Sequence, residues 1–154
     1  MKIYIAADHG GFQLKEQLKS YLVQENYEVE DMGNKSFESA DDYPHFIIPL
    51  AKKVAGGANT KEILGIILGR SGNGEAIAAN KVKSARAAVC LNEEMAIKAR
   101  EHNDANILSL GADYVNLLEA KSIVKAFLET DFSNEPRHVR RIQQIVEFEN
   151  GQFS

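Results

Sequence analysis

Three glycines and a carboxylate stand together in Gly69-Arg70-Ser71-Gly72-Asn73-Gly74-Glu75, followed by Ala76-Ile77. The glycine spacing is that of a nucleotide phosphate loop. Glu75, however, holds the place of the lysine that would reach the phosphates, and Ala76 that of the magnesium-holding hydroxyl. A dinucleotide fingerprint fails as well, because Ile77 falls where a third small residue is expected. Glycines at 69, 72 and 74 let consecutive backbone N–H groups converge. At a helix N-terminus such a nest favours negative charge. If that charge arises only during a reaction, as on an enolate oxygen, the nest is an oxyanion hole. The carboxylate beside it is then a base for the proton next to the carbonyl. The competing reading is structural: a Gly-rich strand-to-helix turn with a glutamate that the helix dipole favours. The dipole lowers the carboxyl pKa and burial raises it, so burial of Glu75 decides between them.

Other residues can serve the same chemistry. Asp8-His9-Gly10-Gly11 follows a strand-like run, either as a turn capped by the aspartate or as two polar side chains with room for a ligand beside them. His102 and Asn103 end a helical pattern, where a histidine is either a partner for the negative helix end or an acid–base group. Arg137 and Arg141 are spaced i, i+4 near a helix start. Two cations there oppose the dipole and suggest an anionic partner. His45, His138 and Cys90 show no pattern that points to chemistry.

Alternating short strands and helices must position these groups. Lys2 to Ala7 reads as a strand, and Phe12 to Gln24 as a helix with an apolar stripe of Leu14, Leu18, Tyr21 and Leu22. Tyr27 to Met32 is a second strand. Tyr43-Pro44 opens a helix burying Phe46, Ile47, Leu50 and Val54, which Gly56-Gly57 ends. Glu62 to Gly69 is apolar nearly throughout, as a parallel strand covered on both faces must be. Arg86 to Cys90 and Asn106 to Gly111 are two more strands, with an Asn92-capped helix between them. Val115 to Leu128 is helical, and a last helix from Pro136 is expected to bury Ile142, Ile145 and Val146.

This alternation predicts an α/β fold: a single doubly wound, Rossmann-like domain over residues 1–154, its five-stranded parallel sheet flanked by helices. The expected strand order is 2-1-3-4-5. Ligands of such sheets bind beyond the strand carboxyl ends, which places the site at the turns after strands 1, 3 and 4.

Composition agrees with a soluble globular protein. Hydrophobic residues make up 44% and charged residues 26% of 154, which suits one packed core. A formal charge of -4 with dispersed basic residues argues against nucleic acid. No apolar run is long enough to span a bilayer, no secretory leader is evident, and a lone cysteine excludes an intrachain disulfide. A cytoplasmic protein is expected.

Five motifs occur in order along nearly the whole chain: DHGG at 8–11, DYP at 42–44, GRSGNGEAIAANK at 69–81, REHNDAN at 100–106 and RHVRR at 137–141. With them the chain resembles the type B ribose-5-phosphate isomerase family, which includes the galactose-6-phosphate isomerase subunits. The resemblance implies aldose–ketose isomerisation of a phosphorylated sugar, ribose 5-phosphate to ribulose 5-phosphate, through an enediolate and without metal or organic cofactor. One branch of the family has a cysteine base at the start of the glycine loop, a position that is Gly69 here. The other uses the glutamate corresponding to Glu75, and SGNGE matches that branch. The resemblance further implies that Ser71, Gly72, Asn73 and Gly74 hold the enediolate oxygen and that Asp8 and His9 contact the sugar. His102 would assist ring opening, Asn103 would touch the ligand, and Arg137 and Arg141 would bind the phosphate. Members are dimers, often paired into tetramers, with the 102–103 segment reaching the neighbour's site.

Two positions depart from the family. Asp113 stands where many members carry an arginine, and Arg70 where the glutamate branch commonly has glycine. They keep open another substrate, such as galactose or allose 6-phosphate or a tetrose phosphate, and Arg70 becomes a candidate phosphate contact. A noncatalytic phosphosugar-binding protein is the alternative of a different class.

Overall fold

The computed structural model describes residues 1–57 and 62–153. Among these residues strands and helices alternate up to α5, and a sixth helix follows: β1 (Lys2–Ala7), α1 (Phe12–Gln24), β2 (Glu28–Asp31), α2 (Pro44–Ala55), β3 (Ile63–Gly69), α3 (Asn73–Ala79), β4 (Ala87–Val89), α4 (Glu93–Asn103), β5 (Ile107–Gly111), α5 (Leu117–Glu129) and α6 (Pro136–Glu149). All strand pairs are parallel. The fold is the doubly wound α/β sheet that the alternation predicts.

The order is β2-β1-β3-β5-β4, not 2-1-3-4-5. The α3 crossover skips a position and the α4 crossover returns, so β5 lies between β3 and β4. Burial explains the correction. All five residues of β5 are buried, whereas the three of β4 are half-exposed. A strand apolar on both faces is stable only inside the sheet, and a short strand is suited to its edge. Asn80 further blunts that edge, its side chain exchanging two hydrogen bonds with the backbone of Ala87 at 2.8 and 2.9 Å.

Two cores flank the sheet. On one face, Leu14, Leu18 and Leu22 of α1 join Ala96 and Ala99 of α4 and Ile123, Val124 and Phe127 of α5. On the other, Ile47, Leu50 and Val54 of α2 join Ala78 and Ala79 of α3. Each large aliphatic side chain so buried contributes roughly 1.5–3 kcal/mol. Phe46 is only partly buried. Caps close the helices locally: Asn92 accepts from the Met95 amide at 2.9 Å, and Asn116 with Glu119 forms a capping box on α5.

The expectation for the last helix is corrected. His138 is the buried residue of α6; Ile142 and Val146 are half-buried, and Ile145 is 49% exposed, with Phe148 and Phe153 more so. Among the described residues this helix packs lightly on α4, its C-terminal end is held by Glu149 accepting from the Ser84 amide, and Ile145 and Phe148 on it stay exposed. No helix among the described residues is long and apolar enough to cross a membrane.

Candidate active site

The carboxyl ends of β1 and β3 lie side by side, with Ala7 paired to Leu68. From them α1 leaves toward one face of the sheet and α3 toward the other. That divergence opens a crevice at the switch point, and the DHGG and GRSGNGE turns flank it. The turn after β4 does not adjoin it, because β5 intervenes. The turn after β5 takes its place: Ala112 and Asp113 donate their amides to the carbonyls of Gly69 and Arg70 at 2.9 and 3.0 Å.

The glycine loop leads into the N-terminus of α3. Gly72 caps α3 with φ of 78°, a left-handed conformation that favours glycine. Its carbonyl accepts a 2.7 Å hydrogen bond from Ser109 of β5, a fully buried hydroxyl that pins the loop to the sheet. The Ser71 hydroxyl accepts from the Asn73 amide at 3.2 Å. The ring of Tyr43 lies so close to Gly74 that an added Cβ would come within 2.9 Å of it. These contacts leave the loop amides little freedom, as an oxyanion site requires.

Glu75 lies in the first turn of α3 and is 4% exposed. Its carboxyl occupies the space in front of Gly69, so any side chain at 69 would overlap it. Burial raises its pKa above the ordinary value; the charge of Asp8 raises it further, and a backbone hydrogen bond opposes both. Burial therefore outweighs the local hydrogen bonding, the condition on which a base role depends.

Asp8 is 8% exposed, and its Oδ1 accepts from the amides of Gly10 and Gly11 at 2.9 and 3.3 Å. It thus caps its turn, as one reading of the sequence proposed, while its charge also bears on Glu75. His9 is held by Asp41, which sequence reasoning missed: Oδ1 lies 2.7 Å from Nδ1 and accepts from the His9 amide at 3.0 Å. The only signal for Asp41 was its place before the Asp42-Tyr43-Pro44 motif. Asp8, His9 and Asp41 also bring three ligand atoms within 4.8 Å of one another. Their hydrogen bonds to each other and to the turn already account for that proximity.

The two departures from the family meet in space. Arg70 Nη1 lies 3.8 Å from Asp113 Oδ2 at the rim, both side chains more than half exposed. Arg70 does not stand as an isolated cation.

His102, Asn103, Arg137 and Arg141 are not brought to the crevice within one chain. Helix α4 runs back from the strand carboxyl ends, so its last residues lie at the amino ends of the strands, next to the start of β5. There the His102 ring stacks on His138, centroids 4.4 Å apart and planes tilted by 38°. Ser133 Oγ lies 2.8 Å from His138 Nδ1. Desolvation lowers the pKa of His138, and the neighbouring His102 lowers it further. Arg86 bonds the carbonyls of Asn103 and Asp104 at 3.1 and 2.9 Å, fixing the helix end. Asn103 and Arg141 line one groove of about 470 Å³ with Arg86, Ile142 and Ile145. Arg137 pairs with Glu135 at 2.9 Å. His138, invisible as a candidate in the sequence, is the support of this second cluster.

Similarity to known proteins agrees with the geometry. Residues 3–145 match the Ribose/Galactose Isomerase family model. A protein of Mycolicibacterium paratuberculosis named ribose-5-phosphate isomerase B is 44% identical over 149 residues, covering 97% of this chain and 92% of that protein. The structure of Clostridium thermocellum ribose-5-phosphate isomerase B superposes with a TM-score of 0.91 at 44% identity, covering 98% and 99% of the two chains. That of Mycoplasma genitalium ribose-5-phosphate isomerase B with bound ribulose-5-phosphate gives 0.91 at 39% identity, covering 97% and 96%. With a buried carboxylate beside a glycine nest at the switch point and this likeness along its length, the chain belongs to the ribose/galactose isomerase family and is an isomerase.

Proposed function

We propose that the protein interconverts ribose 5-phosphate and ribulose 5-phosphate, with Glu75 as the base. The observation that carries this reading is a buried carboxyl of raised pKa beside the nest of Ser71, Gly72, Asn73 and Gly74. In the open-chain aldose, Glu75 takes the C2 proton and the electron pair of that bond forms the C1–C2 double bond. Negative charge moves onto the C1 oxygen, where the loop amides stabilise it. Return of the proton to C1, with the remaining hydroxyl proton passing from O2 to O1, gives the ketose. Each loop donor of this kind is worth roughly 3 kcal/mol of barrier, and general-base assistance about 10²–10⁴ in rate. No step requires a metal or an organic cofactor. Asp8 and His9 orient the sugar. Identity of about 40% with proteins named ribose-5-phosphate isomerase B supports the five-carbon substrate.

The remaining residues complete the site only across a dimer. A second copy seated on the uncovered face of α6 would offer His102 for ring opening, Asn103 for the ligand and Arg137 and Arg141 for the phosphate. Charge at the phosphate end is where Arg70 and Asp113 bear on sugar length, Arg70 as an added contact.

The test is deuterium exchange at C2 of ribose 5-phosphate in heavy water, wild type against Glu75→Gln. Exchange with ketose formation in the wild type, lost in the variant, is expected. Exchange surviving in the variant removes Glu75 from its role. No exchange with pentose, tetrose or hexose phosphates would favour a binding protein.

A further inference from the structure

His9 is seated by a chain of hydrogen bonds that leads away from the crevice into the domain. One oxygen of Asp41 takes both the His9 ring nitrogen, at 2.7 Å, and the His9 backbone amide, at 3.0 Å. Its other oxygen accepts from the Asn34 side chain at 2.8 Å. The Asn34 carbonyl accepts from Lys15 Nζ at 2.8 Å, and Lys15, fully buried, pairs with Asp31 at 2.8 Å. The Asp41 side chain is itself 7% exposed. Edge contacts from His9 to Phe37 and from Phe37 to Phe12 close the outer side of the ring.

A tie for the 32–43 loop alone would need only Asn34 and the backbone. The shared Asp41 oxygen does more, because it selects one nitrogen of the imidazole. An ionised carboxylate only accepts, so the hydrogen of the 2.7 Å contact sits on Nδ1. Nε2 is then the ring nitrogen left for a ligand. A hydrogen bond to one nitrogen of a histidine commonly sets the role of the other.

We propose that Asp41 is a positioning residue for His9, fixing the ring and its tautomer so that Nε2 is presented to the sugar. This rests on His9 being a substrate contact, as read above.

The experiment is a double-mutant cycle on the full chain, with kcat and KM for ribose 5-phosphate in wild type, His9→Ala, Asp41→Ala, Asp41→Asn and the double alanine variant. Ring ¹⁵N shifts of His9 are recorded alongside. Asp41→Ala is expected to lower kcat/KM about tenfold or more. Asp41→Asn, whose amide oxygen still accepts, should lose less. In the His9→Ala background Asp41→Ala should change nothing further. Equal losses in both backgrounds overturn the proposal, since Asp41 would then act on the loop and not through His9. If His9→Ala turns over like the wild type, the reading of His9 as a sugar contact fails instead. The ring shifts judge the tautomer independently: Nδ1-protonated in the wild type and mixed in Asp41→Ala is expected, and the same tautomer in both overturns it.

Discussion

The carboxyl group of Glu75 fills the space into which a side chain at Gly69 would project. Positions 69 and 75 share one volume at the end of β3. A base can therefore come from the strand end or from the first turn of α3, but the two compete for the same place. With glycine at 69, the glutamate has it. Gly69→Ala should displace the carboxyl and lower kcat about a hundredfold, as misplacements of an ångström do. Loss of activity with an unchanged fold by circular dichroism is the expected result. Unaltered kcat would show that the carboxyl works from elsewhere.

With Glu75 as the proposed base, its burial couples catalysis to stability with opposite signs. Its folded pKa lies above the ordinary value of 4.5, chiefly through desolvation. The folded state thus binds more protons in the interval between the two values, and stability falls as pH rises through it. Glu75→Gln should be more stable than wild type at neutral pH, with the difference fading as pH drops toward 4.5. Urea midpoints at several pH values test this. The rate of the wild type should fall on the acid side at a pH above the usual carboxylate range, because the base must be ionised.

Ser109 links the sheet to the nest through its 2.7 Å bond to the Gly72 carbonyl. Ser109→Ala removes one of two donors to that carbonyl, the Ala76 amide at 3.0 Å remaining, at a cost of about 0.5–1.5 kcal/mol. The left-handed turn at Gly72 would loosen as well, so kcat should fall more than KM rises. Denaturant unfolding paired with steady-state kinetics reads both. A stability loss with normal kcat would confine Ser109 to the core.

Separation of His102 and Arg141 from Glu75 within a chain makes a shared site testable by complementation. Glu75→Gln and Arg141→Glu should each be nearly inactive. Unfolded together and refolded at equal concentration, they form half mixed dimers, each with one intact and one doubly altered site. About a quarter of wild-type activity should return if the contact is two-fold symmetric. No recovery from a mixture shown by native mass spectrometry to contain mixed dimers would refute the shared site.

Much of this was legible in local pattern. Apolar stripes marked the helices, Asn92 and Pro136 marked helix starts, and glycines 69, 72 and 74 marked a turn, of which Gly72 alone takes positive φ. The glycine loop and Glu75 were readable as one candidate site because they are contiguous in the chain. Strand order was not legible, since it depends on which of two short strands has both faces covered, and β5 proved to be that one. Nor was the fate of Ile145, because periodicity shows that a helix face is apolar without showing that the chain has anything to lay against it.

The sequence by itself determined the elements, the parallel α/β fold, the family motifs and the glycine loop beside Glu75, all of which follow from neighbours in the chain. Tertiary structure alone decided that burial overcomes the hydrogen bonding on Glu75, that Gly69 must stay small and that Arg70 lies beside Asp113. It alone joined Asp41 to His9 and His138 to His102. Those relations join groups distant in the chain, and their chemistry depends on distances and desolvation that exist only once the sheet has assembled.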